Sequence, residues 1–218
     1  MKTARQQGFT LIEIAIVLVI IGLLLGGVLK GRELIENSKV KNAANDINGV
    51  SAAFYAYQDR YKRLPGDDGP IGALTARGGS WANITLEGNS DGAINVTAAE
   101  TFTGAGENAA FWQHLKAAGL ISGNPADTGV NALPRNAFGG LIGITNANTL
   151  GNLLGNKLCL SQVPGKAASA LDVQFDDGNR ATGNFRATQA TSGVNTAPGA
   201  ITGAAYTENQ VYTVCMTF

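Results

Sequence analysis

One carboxylate stands where a carboxylate is expensive. Residues 9–29 read FTLIEIAIVLVIIGLLLGGVL, and Glu13 is the single ionisable side chain among them. A charge on a membrane helix costs about 3 kcal/mol at mid-bilayer, less near the interface, and ordinarily has a partner. The stretch is preceded by MKTARQQG, with Lys2 and Arg5 and no acid, and followed by KGRELIENSKVKN. No A-x-A-like cleavage pattern follows Leu29, so the apolar segment is expected to be retained rather than removed as a secretory signal. As a helix it would span about 32 Å, enough to cross the hydrocarbon core. Lys2 and Arg5 place the N-terminus on the cytoplasmic side, which sends the remainder outside.

Other residues with chemistry in them are sparse. Glu87, Asn89 and Asp91 followed by Gly92 and Ile94 echo the first half of an EF-hand loop. The twelfth position from Glu87 is Ala98, so the bidentate acid is missing, and no metal site is expected. Asp67 and Asp68, like Asp176 and Asp177, read as turn residues. His114 is the one histidine; without a partner set it is expected to be a packed or exposed helical residue, with no catalytic or metal role. Two sequons, at Asn83 and Asn95, arise readily in a chain this rich in Asn and Thr. No phosphate loop, thiolate cluster or nucleophile motif occurs. No convergent set of ionisable groups is present, so no catalytic residues, no cofactor and no enzymatic activity are expected. Cys159 and Cys215 form a disulfide if their part of the chain is exported; otherwise they are two buried thiols.

The composition agrees with work outside the cytoplasm. Sixteen basic residues balance sixteen acidic ones, which argues against nucleic acid as a partner. Charged residues are 15% of the chain, against a usual share of about 25%. With 29 glycines in 218 residues, the surface is expected to be loop-rich and weakly charged.

Gly8-Phe9-Thr10-Leu11-Ile12-Glu13 followed by an uninterrupted apolar helix resembles the processing site of type IV pilins and type II secretion pseudopilins. The resemblance covers roughly the first 40 residues. It implies cleavage after Gly8 by a prepilin peptidase that also methylates the new N-terminus, Phe9. Glu13 then takes the family's acidic position. Its cation would be the α-ammonium of Phe9, in its own chain or in a neighbour, and the pairing would set subunit register in a filament. Gly22, Gly26 and Gly27 would let helices pack closely. The family also implies a C-terminal disulfide like Cys159–Cys215, enclosing a variable surface loop.

The elements that must carry these residues follow from periodicity. Val40, Ala43, Ile47, Val50, Phe54, Tyr57, Tyr61 and Leu64 recur every three or four positions, one apolar stripe on a helix. Pro65 ends that helix near Lys62. A glycine-rich loop follows, then a second helix over 107–118 with Phe111, Leu115 and Ala118 inward and Gly119 or Gly123 as its stop. Strands are expected at 140–145 (GLIGIT), at Leu171, Val173 and Phe175 before the Asp176-Asp177-Gly178 turn and ATGNFRA, and at VYTVCMTF. Residues 187–210 read as an exposed polar loop.

The fold class expected is therefore α+β. A long N-terminal helix, transmembrane in its first half and amphipathic in its second, packs on a small antiparallel sheet, like a type IV pilin. The expected divisions are 1–8, a cytoplasmic leader; 9–29, the transmembrane and assembly helix; 30–64, the amphipathic helix; and 65–218, a periplasmic or extracellular head. The expected function is a structural subunit, a prepilin polymerised through its N-terminal helix into a homo-oligomeric helical filament. Its partners would be the prepilin peptidase and methyltransferase, an inner-membrane assembly platform, and other minor pilins or pseudopilins. Before assembly it would sit in the inner membrane as a single-pass protein; afterwards it would form an extracellular pilus or a periplasmic pseudopilus. The alternatives are a type II secretion pseudopilin and, from another class, a signal-anchored periplasmic binding protein or enzyme.

Overall fold

The computed structural model describes residues 10–218; Gly8 and Phe9, on which the processing expectation falls, lie outside the described residues. Helix α1 covers Leu11–Tyr61. The described chain falls into two compact units, one ending at Ser38 and one spanning Lys39–Phe218.

From Ile14 to Leu29 the helix is apolar on every side, and the unit's large apolar side chains are exposed all round, from Ile21 at 46% to Leu11 at 92%. Nothing within the unit covers them. Gly22, Gly26, Gly27 and Gly31 sit in unbroken helix with open space around them.

From Lys39 onward the same helix obeys the opposite rule. Ala43, Ile47, Val50, Phe54 and Tyr57 are buried, while Val40, Tyr61 and Leu64 are partly buried against the core. This is the three-and-four spacing turned into a packed face. The helix stops at Tyr61, and Lys62 takes a left-handed φ of 54° before Leu64-Pro65.

The rest of the head is α2 (Ile71–Thr75), α3 (Gly106–Ala117), α4 (Gly165–Phe175) and four strands, β1 (Ile142–Thr145), β2 (Lys157–Pro164), β3 (Phe185–Ala190) and β4 (Val211–Thr217). Short 3₁₀ turns occur at Gly79–Asn83 and Gly129–Ala132. All strand pairings are antiparallel, in the order β1-β2-β4-β3. Phe54 of α1 meets Phe111 of α3 at 6.4 Å and the C-terminal Phe218 at 4.7 Å between ring centroids. Cys159 and Cys215 face each other in register on the two central strands and are joined by a disulfide. The α+β expectation is thus borne out, and helix 107–118 is found almost as read.

Three readings of the head need correction. Leu171, Val173 and Phe175 belong to helix α4, not to a strand. The buried set Ala167, Ala168, Leu171 and Asp172 follows helical spacing, and Val173 points out at 67% exposure. Three alternating apolar residues were too few to outweigh the preceding Ala-rich run. Residues 187–190 are strand rather than loop, because Thr188 and Gln189 continue the β3 ladder along β4. The stretch after Pro65, expected as plain loop, holds α2 and a 3₁₀ turn.

Candidate assembly segment and the polar ties of the head

Local sequence dictates how α1 begins. Thr10 precedes the first helical residue, and Glu13 lies three positions on. The Thr10 backbone N–H and hydroxyl both donate to Glu13 Oε2, at 2.8 and 2.7 Å, and the Glu13 N–H donates back to Thr10 Oγ1 at 3.3 Å. This is a reciprocal capping box, which occupies amides that the first helical turn leaves without partners. The signal is legible as T-L-I-E ahead of an apolar run, and it adds a local partner to the cation expected for Glu13. One oxygen of the carboxylate accepts both Thr10 groups, so the acid has a local role as well as a charge to be matched. Gly8 and Phe9, the other expected members of this site, lie outside the described residues.

Helix α1 is the one described helix long and apolar enough to cross a membrane, judged by length and composition. Residues 3–29 match the family model described as the prokaryotic N-terminal methylation motif. This N-terminus therefore carries the prokaryotic N-terminal methylation motif. The resemblance read from Gly8 through Glu13 is borne out over that segment. No curated protein matches the chain. Among solved structures, the chain overlaps that of the major type IV pilin PilA1 from Clostridium difficile at 13% identity and a TM-score of 0.38, over 84% of this chain and 98% of the other. An overlap at that level carries neither fold nor function by itself.

In the head, the loop that echoes half an EF-hand is fastened by backbone amides. Asp67 accepts the N–H of Asp91 (3.1 Å) and Gly92 (2.8 Å), and Glu107 accepts those of Asn89 (3.3 Å) and Asn95 (2.5 Å). Glu87 accepts the Ile71 N–H at the start of α2. Among the described residues, no group of three His, Cys, Asp or Glu stands where it could hold a metal ion. Gly88 is required here for space, because a Cβ would come within 2.2 Å of the Asp67 Cα.

His114 is fully buried on α3. Its Nδ1 accepts the Gly66 N–H at 3.0 Å, so its Nε2, 3.1 Å from the Leu86 carbonyl, carries the proton and donates. Burial pushes its pKa down to about 4, overriding the Leu86 carbonyl, which favours the cation. It is a neutral structural clasp. Beside it, Tyr57 donates to Asp68 Oδ2 at 2.8 Å, and Arg77 donates to the same oxygen at 2.8 Å. Burial, then the Asp68 contact, holds the Tyr57 hydroxyl protonated far above its ordinary range. This cluster escaped the sequence reading, since Tyr57, Asp68, Arg77 and His114 share no motif. A second buried tie joins Tyr206 to Asp172 at 2.5 Å; burial raises the Asp172 carboxyl pKa, opposed by that hydroxyl and the Gly178 amide.

Proposed function

We propose that this prepilin is the structural subunit of a type IV pilus-like filament, cleaved after Gly8, methylated at Phe9 and polymerised through its N-terminal helix. The observation that carries the reading is the helix exposed on every side up to Ser38, with its one membrane-segment acid in the first turn. Such a surface must be covered by lipid before assembly and by sister helices after it. On this reading residues 1–8 are a cytoplasmic leader, 9–29 the membrane and assembly segment, 30–64 the amphipathic continuation, and 65–218 the exported head. The α-ammonium released at Phe9 is the cation that answers Glu13, while the capping box orients the carboxylate that receives it. The prepilin peptidase, an inner-membrane platform and minor subunits are the partners this requires.

The test separates processing from assembly. Glu13→Ala should be cleaved normally, shown by mass spectrometry of the mature N-terminus, yet be missing from fibres sheared off cells. Glu13→Gln keeps a capping acceptor without the charge and should also fail to assemble. If Glu13→Gln enters fibres at wild-type levels, the charge pairing is wrong and only the cap matters. A mature chain retaining residues 1–8 would return the protein to the signal-anchored class. Loss of protein secretion on deletion, without sheared fibres, would favour the pseudopilin.

A further inference from the structure

At the C-terminal end of α1 the head carries an open cleft of about 420 Å³, walled by Arg60, Tyr61, Arg77 and Trp81 and floored by Gly78 and Gly79. The volume falls in the range of about 300–1,000 Å³ usual for small-molecule sites. Two guanidinium groups and no acidic residue line it.

The two arginines are held differently. Arg77 is fixed: it pairs with buried Asp68 at 2.8 Å and lies 4.5 Å from the ring centroids of both Tyr61 and Trp81. Arg60 is exposed, sits 5.2 Å from the Tyr61 ring, and reaches only the Ala118 carbonyl at 3.5 Å. Among the described residues Arg60 has no carboxylate partner, so its fork of donors remains available to an incoming oxyanion. Gly78 and Gly79 both adopt positive φ, 72° and 59°, with open space where a Cβ would stand. The floor is therefore bare backbone, beside the Ser80 hydroxyl.

We propose that this cleft binds a carboxylate-bearing sugar unit of an extracellular polysaccharide. Arg60 takes the carboxylate, Arg77, already paired with Asp68, supplies a second, pre-oriented donor edge, and the Gly79 backbone with Ser80 meets the ring hydroxyls. Nucleic acid fits less well. Two cations in a chain of zero formal charge give little of the counterion release that phosphate backbones provide. The inference rests on the proposed function only for where the head is displayed. Binding is read on the purified chain, so either can fail alone.

The experiment is calorimetric titration of the full chain, in a detergent without a sugar headgroup, with trigalacturonate and with neutral galactotriose. The expected result is saturable binding of the acid, no binding of the neutral trimer, and a loss of about tenfold or more in Arg60→Gln. Arg135→Gln, at an exposed arginine that does not line the cleft, should bind like wild type. A matching unfolding midpoint for Arg60→Gln confirms that its head is intact. Equal affinity in Arg60→Gln, equal binding of the neutral trimer, or no binding at millimolar acid would each overturn the proposal. So would displacement by inorganic phosphate at the same affinity as the sugar acid, which would reduce the cleft to a non-selective anion site. Arg60-dependent self-association of the head would equally overturn it, by assigning the cleft to a second copy.

Discussion

Leu11 and Leu74 are the same residue in one chain, yet the first is 92% exposed and the second wholly buried. The contrast repeats throughout the two units. Up to Ser38 nearly every large apolar side chain faces outward; from Lys39 onward nearly all face inward. Each arrangement suits a different solvent. The head has an apolar core and ties several of its buried polar groups, Tyr57 to Asp68 and His114 to Gly66 among them, while Trp112 Nε1 and two Arg180 nitrogens are buried without a hydrogen-bond partner. The N-terminal segment has no core of its own, and on the proposed function its apolar surface meets lipid or sister helices. Stability in the first unit is then set by what surrounds it, and in the second by its own internal ties.

The largest effect should come from the strongest of those ties. The disulfide closes a separation of 56 residues between neighbouring central strands. In the chain-entropy model a loop of that size is worth about 4 kcal/mol. Cys159→Ser with Cys215→Ser should lower head stability by that order in urea titration of the full chain. Membrane extraction of the N-terminal helix should be unaffected. A loss under about 1 kcal/mol would mean that the unfolded chain already keeps these strands together, and that the head does not depend on the bridge.

How much of this contrast was readable in advance depended on periodicity. The second half of α1 is legible because seven apolar positions from Val40 to Tyr61 keep helical spacing, and β4 because its residues alternate. Strand β2 gave no such sign. KLCLSQVP lies in the sheet interior with residues of both faces buried, so alternation vanishes. Helix α4 reads like a strand over Leu171, Val173 and Phe175, and only the alanines before them carry the helical signal. Glu13 stands out by its charge alone, whereas its tie to Thr10 is local capping that the charge pattern does not show. The Tyr57–Asp68–Arg77 group and the Arg60 cleft were invisible for a simpler reason. Their members meet through the chain reversal at Lys62, and nothing in linear spacing encodes that meeting.

A second way to sharpen the comparison uses pH, since the head buries a titratable clasp. His114 is neutral in the folded state with a pKa of about 4, against about 6.5 when unfolded. Between those values the unfolded chain binds the extra proton, so stability falls as pH drops from about 6.5 to 4 and is unaffected above. Across that window the loss attributable to His114 should approach about 3 kcal/mol. Glu107 and Asp172, whose carboxyls burial pushes up, work in the opposite direction, gaining stability as they protonate. Comparing wild type with His114→Gln removes their contribution, because both proteins carry them. The variant should show the flatter acid limb; identical limbs would mean that His114 is not buried neutral.

The smallest effect is the most discriminating. Leu154 in the head and Leu18 in the N-terminal helix have similar exposure, 70% and 63%. If exposure alone decided the outcome, aspartate at either position would be equally harmless. Leu154→Asp should indeed change head stability by no more than about 0.5 kcal/mol, as exposed substitutions do. Leu18→Asp should leave the head's unfolding midpoint equally untouched, because that residue contributes nothing to the head's core. The two should part company only in a membrane assay. Aspartate near the centre of a spanning helix costs about 3 kcal/mol of insertion, so Leu18→Asp should accumulate outside the bilayer fraction while Leu154→Asp stays within it. Equal partitioning of the two variants would show that the outward-facing leucines of α1 are ordinary surface residues, and the distinction between the two solvents would disappear.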